Sequence, residues 1–155
     1  MGKSLLAEEY ALHFGAAYPG GVFWVRAYGN DDAKAALDAR QREAQRADQV
    51  REMAERLGID AHGMTAKQIE GELARKIESE GKPCLWVVDD VPNGLDGEAL
   101  RRWFAPHALA RTLVTTRSRE YGAMAKGIDL SVLAPDEAFQ LLTSRRKPAG
   151  KDEAA

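Results

Sequence analysis

The 155-residue chain, 45% apolar and 30% charged, has the size and make-up of one globular domain with room for a core. A net charge of −2 excludes a strongly basic nucleic-acid surface, and the single cysteine, Cys84, excludes an intramolecular disulfide and fits a reducing compartment. No apolar run approaches the roughly 20 residues of a membrane helix and no basic-then-apolar leader opens the chain, so a cytoplasmic protein is expected.

In chain order, Met1-Gly2-Lys3-Ser4 runs straight into Leu5 to Phe14, which reads as a helix. Leu6, Tyr10 and Phe14 recur every fourth residue, and Leu5 and Leu12 widen the apolar face expected to dock. Tyr18-Pro19-Gly20-Gly21 is a turn, and Val22-Phe23-Trp24-Val25 a buried strand ending near Tyr28-Gly29-Asn30. Asn30, Asp31 and Asp32 are candidate caps for a helix from Ala33 to about Leu57. Val50, Met53 and Leu57 are its inner stripe, and its Arg/Glu remainder a solvated face. Thr65 caps a further helix whose Ile69, Leu73 and Ile77 share one side, and Gly81-Lys82-Pro83 ends it.

Cys84-Leu85-Trp86-Val87-Val88 reads as a strand buried on both faces, with Asp89 and Asp90 at its carboxyl end. In an open parallel sheet that end is where ligands bind, and an aspartate there suits magnesium. The plainer interpretation is an Asp-rich turn leading to Asn93-Gly94. Asp96-Gly97 opens a short helix with Leu100, Trp103 and Phe104 inside, stopped by Pro106. Arg111 to Arg117 is a third strand, and Ile128 to Leu133 alternates like an edge strand. Pro135, Asp136 and Glu137 start a helix running to about Ser144, docked by Phe139, Leu141 and Leu142. The polar tail 147–155 is expected to fray. Four strands near 22–28, 84–89, 111–116 and 128–133, alternating with helices, predict an α/β fold with a parallel sheet and helices on both faces.

Gly2-Lys3-Ser4 before a helix matches the end of a phosphate-binding loop. There Lys3 reaches the β- and γ-phosphates, the Ser4 hydroxyl ligates magnesium, and the helix N-terminus offers free N–H groups. The alternative is an ordinary N-terminus with a capping serine. Thr115, Thr116 and Arg117 close the third strand, where an arginine can sense a terminal phosphate. Its alternative role is a surface ion pair with Glu120.

Four stretches together carry a resemblance: Gly2-Lys3-Ser4-Leu5-Leu6-Ala7, Tyr18 to Trp24, Leu85-Trp86-Val87-Val88-Asp89-Asp90-Val91 and Leu113-Val114-Thr115-Thr116-Arg117. In this order they resemble the NB-ARC domain, the nucleotide switch of STAND-type P-loop ATPases, in a form similar to bacterial proteins. Leu130 to Leu142 looks like the segment that follows the Thr-Thr-Arg strand. The resemblance implies a partial NB-ARC core over 1–146. It would bind ADP at rest and ATP when active with Mg2+, hydrolyse slowly and assemble with other domains or copies, without nucleic acid or membrane. By motif, Gly2, Lys3, Ser4, Leu5 and Arg117 contact nucleotide. Ser4 and Asp89 hold the metal, Asp90 orients water, and Arg117 reads the γ-phosphate.

Against that pattern, nothing precedes Met1-Gly2. A chain truncated at both ends is therefore expected, without the family's central first strand and without its Gly-Leu-Pro-Leu motif and helical ARC subdomains. That loss should leave the Asp89 strand without a neighbour. A non-catalytic interaction module that recruits another chain by β-addition is the runner-up, and an unrelated α/β domain with an accidental Asp pair the third reading.

Overall fold

The computed structural model describes residues 2–29 and 37–144, the Leu142 side chain excepted. Helix α1 spans Lys3–His13, strand β1 Val22–Arg26, helix α2 Ala39–Arg56, helix α3 Ala66–Glu80 and strand β2 Cys84–Val91. Helix α4 (Gly97–Arg101), strand β3 (Ala110–Thr116) and helix α5 (Pro135–Thr143) follow, with 3-10 turns at Gly15–Ala17 and Glu120–Ala123.

The three strands form one parallel sheet in the order β1-β2-β3. Parallel neighbours need crossovers, and the helices supply them. Side chains alternate across β2, so Cys84, Trp86 and Val88 face one side while Leu85 and Val87 face the other. The first side is the main core, closed by Val50 and Ala54 of α2, by Ile69, Leu73 and Ile77 of α3, and by Leu100 and Trp103. Each fully buried aliphatic side chain there contributes about 1.5–3 kcal/mol. Trp86 satisfies its indole by donating Nε1–H to the Trp103 carbonyl at 2.9 Å.

Local chemistry explains the helix ends. Thr65 and Gln68 form a reciprocal capping box at the start of α3, with the Gln68 amide oxygen 2.9 Å from the Thr65 N–H. Gly81, at φ 61°, gives that helix its left-handed stop. Asp38 and Gln41 make the same box on α2, at 2.7 and 2.9 Å. Beside β1, the Gln49 side chain accepts from the Arg26 N–H at 2.8 Å and donates to the Arg26 carbonyl at 3.0 Å. It thereby occupies the hydrogen-bonding positions a further strand would use at that one residue.

Several expectations are corrected. The segment 128–133 is not a strand: its backbone pairs with no described strand, and Val132 is 92% exposed. Alternation alone does not make a strand when no neighbouring backbone accepts its ladder. The β2 strand is not left without a neighbour either. It is the central strand, flanked by β1 and β3, whose outer margins no described strand meets.

On α1 the side toward the sheet is Ala7 and Ala11, packed with Leu85, Val87, Trp24 and Leu113. Leu5, Leu6, Leu12 and Phe14 are exposed, Leu12 by 73%. Arg46, expected on the solvated face of α2, is 5% exposed and pairs with Glu70 of α3 and, at 3.5 Å, with Glu43. Its guanidinium lies 5.9 Å from the Trp103 ring centre. The expected caps Asn30, Asp31 and Asp32, the first residues of the expected 33–57 helix, and the tail from 145 onward lie outside the described residues.

Candidate functional site

In a parallel sheet every strand ends on the same edge, and here that edge gathers Arg26, Asp89-Asp90 and Thr115-Thr116-Arg117. Helix α1 presents its N-terminus, Gly2-Lys3-Ser4, to the same edge. The pairing of β2 with β3 slips between Val88 and Val91, so Asp89 and Asp90 form a bulge. Asp90 takes the left-handed conformation, φ 61°, uncommon for a non-glycine residue and costing about 1–3 kcal/mol when strained.

The bulge is held from both sides. Ala27 and Gly29 donate their N–H groups to the Asp89 and Asp90 carbonyls, each at 2.7 Å. The Thr115 hydroxyl donates to Asp89 Oδ1 at 2.6 Å and accepts from the Asp90 N–H at 2.9 Å. Thr116 donates its hydroxyl to the Val91 carbonyl at 2.9 Å. Asp89 is 6% exposed, and its carboxylate is oriented by the Thr115 hydroxyl. The loop beyond is tied by Tyr121, whose hydroxyl donates to the Pro92 carbonyl and accepts from the Leu95 N–H.

Two adjoining clefts open here and share Ser4. One, of about 420 Å³, is lined by Ser4, Glu8, Trp24, Arg26 and Asp89. The other, of about 260 Å³, is lined by Gly2, Lys3, Ser4, Asp90, Thr115, Thr116 and Arg117. The lining carries three cationic groups (Lys3, Arg26, Arg117) and three carboxylates (Glu8, Asp89, Asp90). Such a mixed lining suits a ligand bearing both signs, as a divalent cation on a polyphosphate does.

Of the residues expected from sequence, Gly2, Lys3, Ser4, Asp89, Asp90 and Arg117 are all brought to this edge. Leu5 follows Ser4 in the first turn of α1, with its side chain exposed and lining neither cleft. Glu120 is engaged elsewhere, accepting from the Gly94 N–H at 3.1 Å. Glu8, Trp24 and Arg26 were missed. The signal was present, since Arg26 ends an apolar strand as Asp89 does, and Glu8 lies one helical turn after Ser4.

Among the described residues no group of three or more His, Cys, Asp or Glu converges on a metal position. Ser4 and Asp89 instead fit the kind of magnesium site in which phosphates and water complete the shell. Burial pushes the Cys84 thiol up from its ordinary value, as fits an inert core residue. No helix among the described residues is long and apolar enough to cross a membrane. No protein-family model, curated protein or solved structure matches the chain.

Proposed function

We propose that this chain is the nucleotide-binding core of a STAND-type switch, taking ADP or ATP with Mg2+ and, in the full-length protein, hydrolysing ATP slowly. The observation that carries it is the shared position of Ser4: one cleft joins it to Asp89, the other to Lys3, Asp90 and Arg117. A magnesium–polyphosphate placed across Ser4 would meet oxygen ligands on one side and cations on the other. The preference for adenine rests on the resemblance of the motifs, and the cytoplasmic setting on the single, buried Cys84.

In this reading magnesium, when bound, neutralises phosphate charge. Lys3 contacts phosphate as a point charge, assisted by the N–H groups at the start of α1. Asp89, already oriented by Thr115, offers carboxylate oxygen to the metal. Asp90 orients a water molecule, and Arg117 binds the terminal phosphate. Catalysis is positioning and electrostatics, with no covalent intermediate on the protein.

Calorimetry with Mg-ADP tests the proposal. Binding heat is expected, and Lys3→Ala should weaken affinity at least tenfold; unaltered affinity in that variant would remove the phosphate role from the N-terminus. A second reading, a non-catalytic interaction module, is favoured by a different observation. The open margin of β3 is suited to adding a strand from another chain, and the exposed Leu5, Leu6 and Leu12 of α1 offer it an apolar surface besides. No heat at millimolar Mg-ADP would leave that reading in place.

A further inference from the structure

Arg26 belongs to none of the motifs that suggest nucleotide binding, yet it lines the larger cleft. It is the register partner of Asp89 across β1 and β2, so both side chains leave the sheet on the same face, the one covered by α1. It lines the cleft with Ser4, Glu8, Trp24 and Asp89. Two carboxylates, Glu8 and Asp89, thus line the same cleft as Arg26. Even so, among the described residues Arg26 forms no ion pair within 4.0 Å with either. The guanidinium instead lies over the Tyr28 ring, 5.2 Å from its centre.

Tyr28 itself has a left-handed backbone, at φ 52°. Stacking on an aromatic face leaves the in-plane N–H donors of a guanidinium available, and that fork matches phosphate oxygens. The Arg26 backbone is fixed by Gln49 through both its N–H and its carbonyl. Only the side chain has to move to reach into the cleft.

We propose that Arg26 is a specificity residue that binds the outermost phosphate of a nucleoside triphosphate from the β1 side, opposite Lys3 and Arg117. This rests on the nucleotide reading above and adds a third cation to it. A diphosphate, held at the N-terminus of α1 by Lys3, ends short of Arg26; a triphosphate extends past Ser4 toward Asp89 and meets it. Arg26 therefore discriminates triphosphate from diphosphate, while Lys3 binds both.

The test is calorimetry of the intact chain with Mg-ADP and with a non-hydrolysable Mg-ATP analogue, for the wild type and for Arg26→Gln, Arg26→Lys and Lys3→Ala. Arg26→Gln keeps the backbone bonds to Gln49, and its melting temperature is checked against the wild type. Arg26→Gln should lower triphosphate affinity at least tenfold and change diphosphate affinity by less than about twofold, with Arg26→Lys recovering part of the loss. Equal losses for both nucleotides, or no loss while Lys3→Ala abolishes binding, would overturn the role of Arg26 alone. A wild-type chain that binds neither nucleotide would overturn the nucleotide reading and this inference together.

Discussion

Replacing Thr115 by valine removes one hydroxyl and keeps the side-chain shape, at a residue that is 7% exposed. That hydroxyl makes two bonds. It donates to the Asp89 carboxylate at 2.6 Å, a bond to a charged group contributing about 1.5–3 kcal/mol. It also accepts from the Asp90 N–H at 2.9 Å, contributing about 1 kcal/mol. The valine methyl returns about 0.8 kcal/mol by burial. The net cost is about 2–3 kcal/mol, since part of the carboxylate's loss is met by water in the cleft. For a chain of this length that corresponds to a fall of about 4–12 °C in melting temperature. Thermal melts and urea titrations of Thr115→Val, Asp89→Asn and the double variant measure it, and the cycle should show about 1–2 kcal/mol of coupling. A Thr115→Val chain melting within about 2 °C of the wild type, with additive single effects, would refute the view that Thr115 holds the bulge.

Other outcomes follow from the packing. A β-carbon on Gly29 would lie 2.5 Å from the Pro92 nitrogen and 2.6 Å from the Asp90 carbonyl oxygen. Backbone cannot step aside, so Gly29→Ala should destabilise by about 3 kcal/mol and displace Asp90; urea denaturation with a wild-type midpoint would contradict this. Glu70 supplies a pH dependence. Burial lifts its pKa above the ordinary carboxylate value, and the attraction of Arg46 only partly offsets the rise. The folded chain therefore holds this proton more tightly than the unfolded one. That contribution to stability is complete below the unfolded value of about 4.5 and is lost as pH rises through the folded value. Glu70→Gln retains an acceptor for Arg46 and should flatten the stability profile from pH 4 upward. An unchanged slope in urea titrations across that range would show that another group sets it.

The three strands were legible because Val22 to Val25, Cys84 to Val88 and Leu113 to Val114 are runs of β-branched and large apolar residues between turn signals. The Thr65 cap and the Ile69, Leu73 and Ile77 stripe were equally plain, as each depends on neighbours three and four positions away. Residue spacing identified α1 as a helix but not which side packs. The sheet accepts Ala7 and Ala11, whose small side chains allow close approach, and leaves the larger leucines outside. Segment 128–133 misled for the opposite reason, carrying the period of a strand without a partner to pair with. Arg46 looked solvated because its counterion, Glu70, lies 24 positions away on another helix. At the site, motif spacing pointed to Lys3, Ser4 and Asp89, whereas Arg26 emerges only when the β1–β2 register is known.

The side chain of Gln49 makes the two margins of the sheet unequal at the end that carries the clefts. By answering both main-chain groups of Arg26, it closes the carboxyl end of the β1 margin beside the clefts, and α2 packs against β1. A polypeptide that lengthened this sheet at β3 would lie next to Thr115 and Arg117. Assembly and ligand occupancy would then compete for, or reinforce, the same few ångströms of backbone.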